Sequence, residues 1–237
     1  MTRKQQVAAA VLAGTLFAAL GLAAPAVGQT ATDEGVWTAV SLRGKVSPDT
    51  AWRWSADSFL QSRDGLQTLD VALGHVMVMR DAGRQASVGL GYAVGAGFRT
   101  SGPLLEQRLT QLVSWTGGRR TRVALRSLFE ERFIGGRGAM LLRAREQVRV
   151  VWPIAAQRQL RAIVSEEVLV QADTRALTAP RLDGNRVFVG LGRTLSPGSS
   201  IEIGYLNVYS SAGLNRHQRS HVLSASLAVS LPQGRRR

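Results

Sequence analysis

Arginine and glutamate alternate with apolar residues through the middle of this chain, so that charge falls on every second position. Glu106 and Arg108, then Arg122, Arg126, Glu130 and Arg132, then Arg143, Arg145 and Arg149, then Arg161 and Glu167 oppose Leu105, Leu109, Val123, Leu125, Phe129, Phe133, Leu142, Val148, Val150, Val164 and Val168. Successive side chains of a strand point to opposite faces, so each segment has one charged and one apolar face. The chemistry available to the charged face is ion pairing. The planar guanidinium fork binds a carboxylate or phosphate bidentately, and cross-strand neighbours lie close enough to do so. Arginine exceeds glutamate in this set, and an isolated buried charge is costly, so the surplus requires water, phosphate or another anion. A conducting path lined this way would favour anions.

Other reactive side chains carry less. His75 lies between Leu73 and Met77 in a strand-like segment and reads as a packed or lipid-facing ring. His217 and His221 have an i, i+4 spacing that suits a metal on a helix, but their segment reads as a loop entering a strand. Ser210, Ser211 and Ser220 are available nucleophiles, yet no Gly-x-Ser-x-Gly elbow and no phosphate-binding glycine loop occurs. We therefore assign no catalytic residue, no metal ligand and no cofactor.

The elements that must hold these charges are strands. From Ser87 to Phe98 the alternation is complete, with Val88, Leu90, Tyr92, Val94, Ala96 and Phe98 facing away from Ser87, Gly89, Gly91, Ala93, Gly95 and Gly97. The bare face reads as clearance for long guanidinium arms reaching across an enclosed space. Similar segments run between turn signals at Ser47-Pro48-Asp49, Arg63-Asp64-Gly65, Asp81-Ala82-Gly83-Arg84, Ser101-Gly102-Pro103, Thr116-Gly117-Gly118, Gly135-Gly136, Pro153 and Ser196-Pro197-Gly198. The two longest connections, Ala172 to Asp183 and Ser210 to Ser220, belong to one alternate set, while Trp52, Trp115 and Trp152 lie beside the other. Short turns at one end, longer loops at the other and an aromatic girdle are the marks of an outer-membrane barrel. Eleven segments are countable, and barrels of that class have an even number. The expected fold is therefore all-β, a closed antiparallel transmembrane β-barrel of 10 to 12 strands.

Composition narrows the alternatives. The 237 residues carry a formal charge of +14, which alone points to nucleic acid, but the arginines alternate with apolar residues inside strands and form no exposed basic patch with stacking aromatics. No nucleic-acid partner is expected. There is no cysteine, hence no disulfide framework and no thiolate metal site. Arg3 and Lys4, the apolar stretch Val7 to Leu22 and the small residues at Ala24 to Gly28 read as a cleaved signal peptide. The organisation expected is signal peptide 1–28, mature N-terminal segment 29–35, barrel 36–231 and basic tail 232–237. No later apolar run is long enough for a spanning helix, but a closed barrel satisfies its backbone between strands.

Leu105-Glu106-Gln107-Arg108, Leu125 to Phe133, Leu142-Arg143-Ala144-Arg145, Gly184-Asn185-Arg186 and Ile203 to Asn207, in this order, resemble a proteobacterial family of outer-membrane barrels, the domain-of-unknown-function 2490 family. The resemblance covers roughly Trp37 to Leu231 and implies fold and location, with no reaction or ligand to carry over. The expected setting is the outer membrane of a Gram-negative bacterium, with membrane lipid and the barrel assembly machinery as partners. Many such barrels end on an aromatic residue, whereas here the last strand ends at Leu231 and Pro232 to Arg237 follows. Three functions follow: a non-enzymatic barrel with a structural role or passive anion and small-solute passage, an outer-membrane lipid hydrolase using loop Ser and His, or a soluble periplasmic lipocalin-like barrel with its apolar face turned inward. Oligomeric state is open.

Overall fold

The computed structural model describes residues 30–47, 49–135, 140–154, 159–174, 179–211 and 217–232. The expected signal peptide 1–28, tail residues 233–237 and turn residues Pro48 and Gly136 lie outside them. Eleven strands form one closed barrel: β1 (Thr30–Lys45), β2 (Trp52–Arg63), β3 (Thr68–Ala82), β4 (Ala86–Arg99), β5 (Gly102–Gly117), β6 (Arg122–Ile134), β7 (Met140–Pro153), β8 (Leu160–Asp173), β9 (Arg181–Ser196), β10 (Ser199–Ser211) and β11 (His217–Ser230).

Each strand pairs antiparallel with its sequence neighbour, and the wall closes through a parallel seam between β1 and β11, from Thr30 opposite His217 to Arg43 opposite Ser230. An up-and-down meander of odd number brings its first and last strands together pointing the same way. The rule of even strand number therefore does not govern this barrel, and the described residues close it with eleven strands. The amide of Leu231 extends the seam by donating to the Arg43 carbonyl at 2.8 Å.

Following the register around the wall from Lys45 leads through Arg53, Met79, Gly89, Leu112, Leu128, Arg145, Leu169, Gly184, Ser210 and Gln218 to Ala31, fourteen residues before the start. Such a stagger tilts the strands by roughly 35–45°. It also preserves the faces, because fourteen is even.

Two boundaries differ from the sequence reading. Residues 30–35 of the proposed N-terminal segment belong to β1, which runs from Thr30 among the described residues. The two long connections shrink, because β8 and β10 run on to Asp173 and Ser211 while β9 and β11 start at Arg181 and His217. Connections at the C-terminal mouth, where β11 ends, span 46–51, 83–85, 118–121, 154–159 and 197–198. Those at the N-terminal mouth, where β1 begins, span 64–67, 100–101, 135–139, 174–180 and 212–216, so the expected contrast of long and short ends is absent. The tightest turn at the C-terminal mouth joins β9 to β10 through Pro197 and Gly198. Gly198 has φ +97°, and proline followed by such a glycine is what a type II turn requires.

The apolar face points outward. Leu90 is 69% exposed, Leu105 64%, Val76 56% and Leu223 56%, whereas Thr110, Glu130 and Glu167 on the inner face are 3%, 2% and 4% exposed. The lumen is not wholly polar. Met77, Leu112 and Leu128 pack together on one side with Met79, and Ile163, Phe188, Leu206, Val208 and Val222 form a second cluster with Trp37 and Val151.

Candidate functional site

Between those two apolar clusters the inner faces of β5 to β9 carry a continuous ion-pair lattice built on three glutamates. Glu106 accepts two hydrogen bonds from Arg108 (Nε 2.7 Å, Nη2 3.1 Å) and two from Arg132 (Nε 2.5 Å, Nη2 3.1 Å). Glu130 accepts from Arg143 Nε at 2.5 Å and Arg145 Nη1 at 3.0 Å, with Arg108 Nη1 at 3.8 Å. Glu167 accepts from Arg145 Nη2 at 2.7 Å, Arg126 Nη2 at 3.1 Å and Arg186 Nη1 at 3.1 Å. Arg108 thus joins Glu106 to Glu130, and Arg145 joins Glu130 to Glu167.

Register explains the sharing. Arg108 and Arg132 stand directly opposite each other, an arrangement that like charges disfavour, and Glu106 on β5 relieves it by binding both forks. Glu130 faces Arg143, and Glu167 faces Arg186. With Glu130 and Glu167 almost fully buried, each carboxylate is offset by two or three guanidinium groups that also satisfy its lone pairs, the condition for tolerating buried charge.

The charged residues expected from alternation do not all join. Glu106, Glu130, Glu167, Arg108, Arg126, Arg132, Arg143 and Arg145 do. Arg149 pairs with Glu202 at 2.6 Å, nearer the C-terminal mouth. Arg161 has Nε and Nη2 buried without a partner among the described residues, and Arg122, the first residue of β6, is exposed at the same end. The lattice expected from the sequence left out Arg186, Asp183, Glu202 and Gln171, although alternation puts Gln171 and Glu202 on the polar face. The alternation test applied to β6 to β8 would have found Arg186 on β9 and Glu202 on β10, since both lie on the face opposite Val187, Val189, Ile201 and Ile203.

Above the lattice, towards the N-terminal mouth, lies a cavity of about 590 Å³. Arg99, Arg132, Arg143, Arg181, Arg186 and Asp183 line it. Arg132 and Arg143 form part of its floor. Arg143 Nη1 also reaches Asp183 at 3.5 Å, and the Arg186 guanidinium lies over the Trp37 ring at 5.1 Å from its centroid.

The glycine face meets its neighbours and not the far wall. A Cβ at Gly91 would lie 2.5 Å from Thr110 Oγ1 and 2.6 Å from His75 Nε2, and those two atoms hydrogen-bond to each other across the glycine at 3.0 Å. Met79 lies over Gly89 and Leu73 over Gly95. The expected clearance for opposite-wall arginines is filled by side chains of β3 and β5. His75 faces inward, with Nδ1 4.0 Å from Asp57 Oδ2.

His217 and His221 lie within β11 on the outer face, where Tyr209 and Tyr205 hydroxyls meet their Nδ1 atoms at 2.7 and 2.6 Å. Four residues along a strand separate the rings by about 13 Å, too far to share one metal ion. Trp52 and Trp152, 45% and 38% exposed, stand with Trp115 on the outer face near the C-terminal mouth. Phe98, Phe133 and Tyr209 occupy the corresponding outer positions near the N-terminal mouth, a second aromatic set that sequence reasoning missed.

No curated protein and no solved structure matches the chain. A family model described as protein of unknown function (DUF2490) matches residues 34–218, which takes in all or part of every strand and the whole lattice. The chain belongs to this family.

Proposed function

We propose that this protein is an integral outer-membrane β-barrel of a Gram-negative bacterium, exported by its N-terminal signal and inserted by the barrel assembly machinery, with a lumen held shut by the arginine–glutamate lattice. Its role is structural, and anion passage would require the lattice to part. The observation that carries this reading is the inversion of faces, apolar outside and charged inside. Strands of 12 to 16 residues exceed the ~9–11 that a tilted strand needs to cross a bilayer. Aromatic residues on the outer face near both mouths match the interfacial girdles of such barrels. The lipocalin-like alternative needs the opposite orientation of the apolar face.

The outer face carries a strip of glutamates across β6 to β8, and its pairing supports the same reading. Glu131 accepts from Gln111 Nε2 at 3.4 Å, Glu146 from Ser127 Oγ at 2.6 Å and Glu166 from Asn185 Nδ2 at 3.0 Å. Each carboxylate is thereby bonded along the wall instead of standing alone on the lipid side, which lowers the cost of its position.

The experiment is fractionation. The mature chain is expected to sediment with outer membrane, to resist carbonate and high salt, to dissolve in detergent and to migrate differently on gels before and after boiling. Release by carbonate without detergent would overturn the membrane assignment.

A further inference from the structure

We propose that the cavity at the N-terminal mouth is a binding site for a soluble multivalent anion, one carrying two or more phosphate or carboxylate groups. Charge is the first reason. The lattice and its open vestibule bring together Arg99, Arg181 and the six lattice arginines against Glu106, Glu130, Glu167 and Asp183, an excess of four positive charges among these groups. The three glutamates are fully engaged by arginine. Asp183 is held at the edge by Arg143.

Position is the second reason. Arg99 ends β4 and Arg181 begins β9, so they stand exposed at the rim, Arg99 with Asp70 as an electrostatic neighbour and neither in an ion pair within 4 Å among the described residues. Below them Arg132 and Arg143 are 12% and 7% exposed and cannot reorient freely, because Glu106, Glu130 and Gln171 hold their forks. A preorganised arginine floor with two exposed arginines above it favours a ligand with anionic groups at two depths. Size is the third reason. A cavity of about 590 Å³ far exceeds one chloride or one phosphate and falls within the range of small-molecule pockets. The other mouth is built differently, since Arg149 there is matched by Glu202, the exposed Arg122 stands at the strand end, and Arg161 has two buried nitrogens without a partner among the described residues but no paired arginine floor beneath it.

This inference depends on the lumen and not on where the barrel resides, so it can fail while the membrane assignment holds, and the reverse. The mature barrel, folded in detergent, is titrated calorimetrically with tripolyphosphate, pyrophosphate and citrate at constant ionic strength, with sodium chloride as reference. Saturable one-site binding is expected for the multivalent anions. Arg99→Gln and Arg181→Gln should each weaken it about tenfold, the loss of a charge-assisted hydrogen bond, while Arg122→Gln leaves it unchanged. Micelles of short-chain phosphatidate, at equal phosphate concentration, separate a lipid headgroup from a soluble ligand, and should bind more weakly than tripolyphosphate. Absence of saturable heat, an equal loss on Arg122→Gln or tighter binding of phosphatidate would each overturn the proposal.

Discussion

β4 and β7 line the same lumen three strands apart and fill it in opposite ways. β4 turns Ser87, Gly89, Gly91, Ala93, Gly95 and Gly97 inward, while β7 turns Leu141, Arg143, Arg145, Gln147 and Arg149 inward. Both are filled along their middles. The bare strand lets the walls beside it close over it, as His75 and Thr110 do above Gly91, and Ala93 beneath Arg108's strand is only 2% exposed. The charged strand has its own counter-ions on β6 and β8, one strand away on either side. The difference teaches that small inner residues are a local packing device here, and that the plug hangs from one wall.

The largest test of that contrast is Glu130→Ala. It would leave Arg143 with Asp183 alone and Arg145 with Glu167 alone beside the emptied position of their shared carboxylate, and removing one partner of a buried charge cluster costs about 3–5 kcal/mol. Denaturant unfolding of the folded barrel, followed by tryptophan fluorescence, measures it. A loss below about 1 kcal/mol would mean that the lattice contributes little.

On the bare side, Gly91→Leu should cost about 1–3 kcal/mol by overpacking against His75, Thr110 and the Val76 carbonyl. An unchanged unfolding midpoint would show that the glycine face meets only water. Gly97→Ala is the paired control. The nearest atom to its added Cβ is the Asp70 carbonyl oxygen at 4.0 Å, so its effect should stay within about 0.5 kcal/mol and favour stability by restricting the unfolded chain. A penalty at Gly97 equal to that at Gly91 would erase the distinction between filled and open positions along one strand. Arg126→Gln should also be mild, under about 1 kcal/mol, because its side chain is 40% exposed and Glu167 keeps Arg145 and Arg186.

The alternation of Ser87 to Phe98 and of Arg122 to Phe133 was enough to predict strands and their faces, because a period of two is a property of each segment alone. Partner choice is not. Glu167 binds Arg186 across one pairing, Arg145 across another and Arg126 from two strands away, and that depends on register and on the fourteen-residue stagger, which no single strand encodes. The same limit explains the misreading of the glycines, whose neighbours were knowable only once Gly91 was set opposite Thr110 and Met77. Strand ends failed for a different reason. Ser210, Ser211 and the polar residues around His217 resemble a loop in composition, but they are wall residues at a mouth, where an outer face need not be apolar. The range of 10 to 12 strands holds the eleven observed; the parallel seam that allows an odd number depends on the pairing of β1 with β11, which no single strand encodes.

Current across planar bilayers holding the purified barrel tests the central claim, a lumen closed by a lattice anchored on one wall. Wild-type protein should give no sustained steps, and Glu130→Ala should give openings that favour anions. Stable ohmic steps from the wild-type barrel would contradict it.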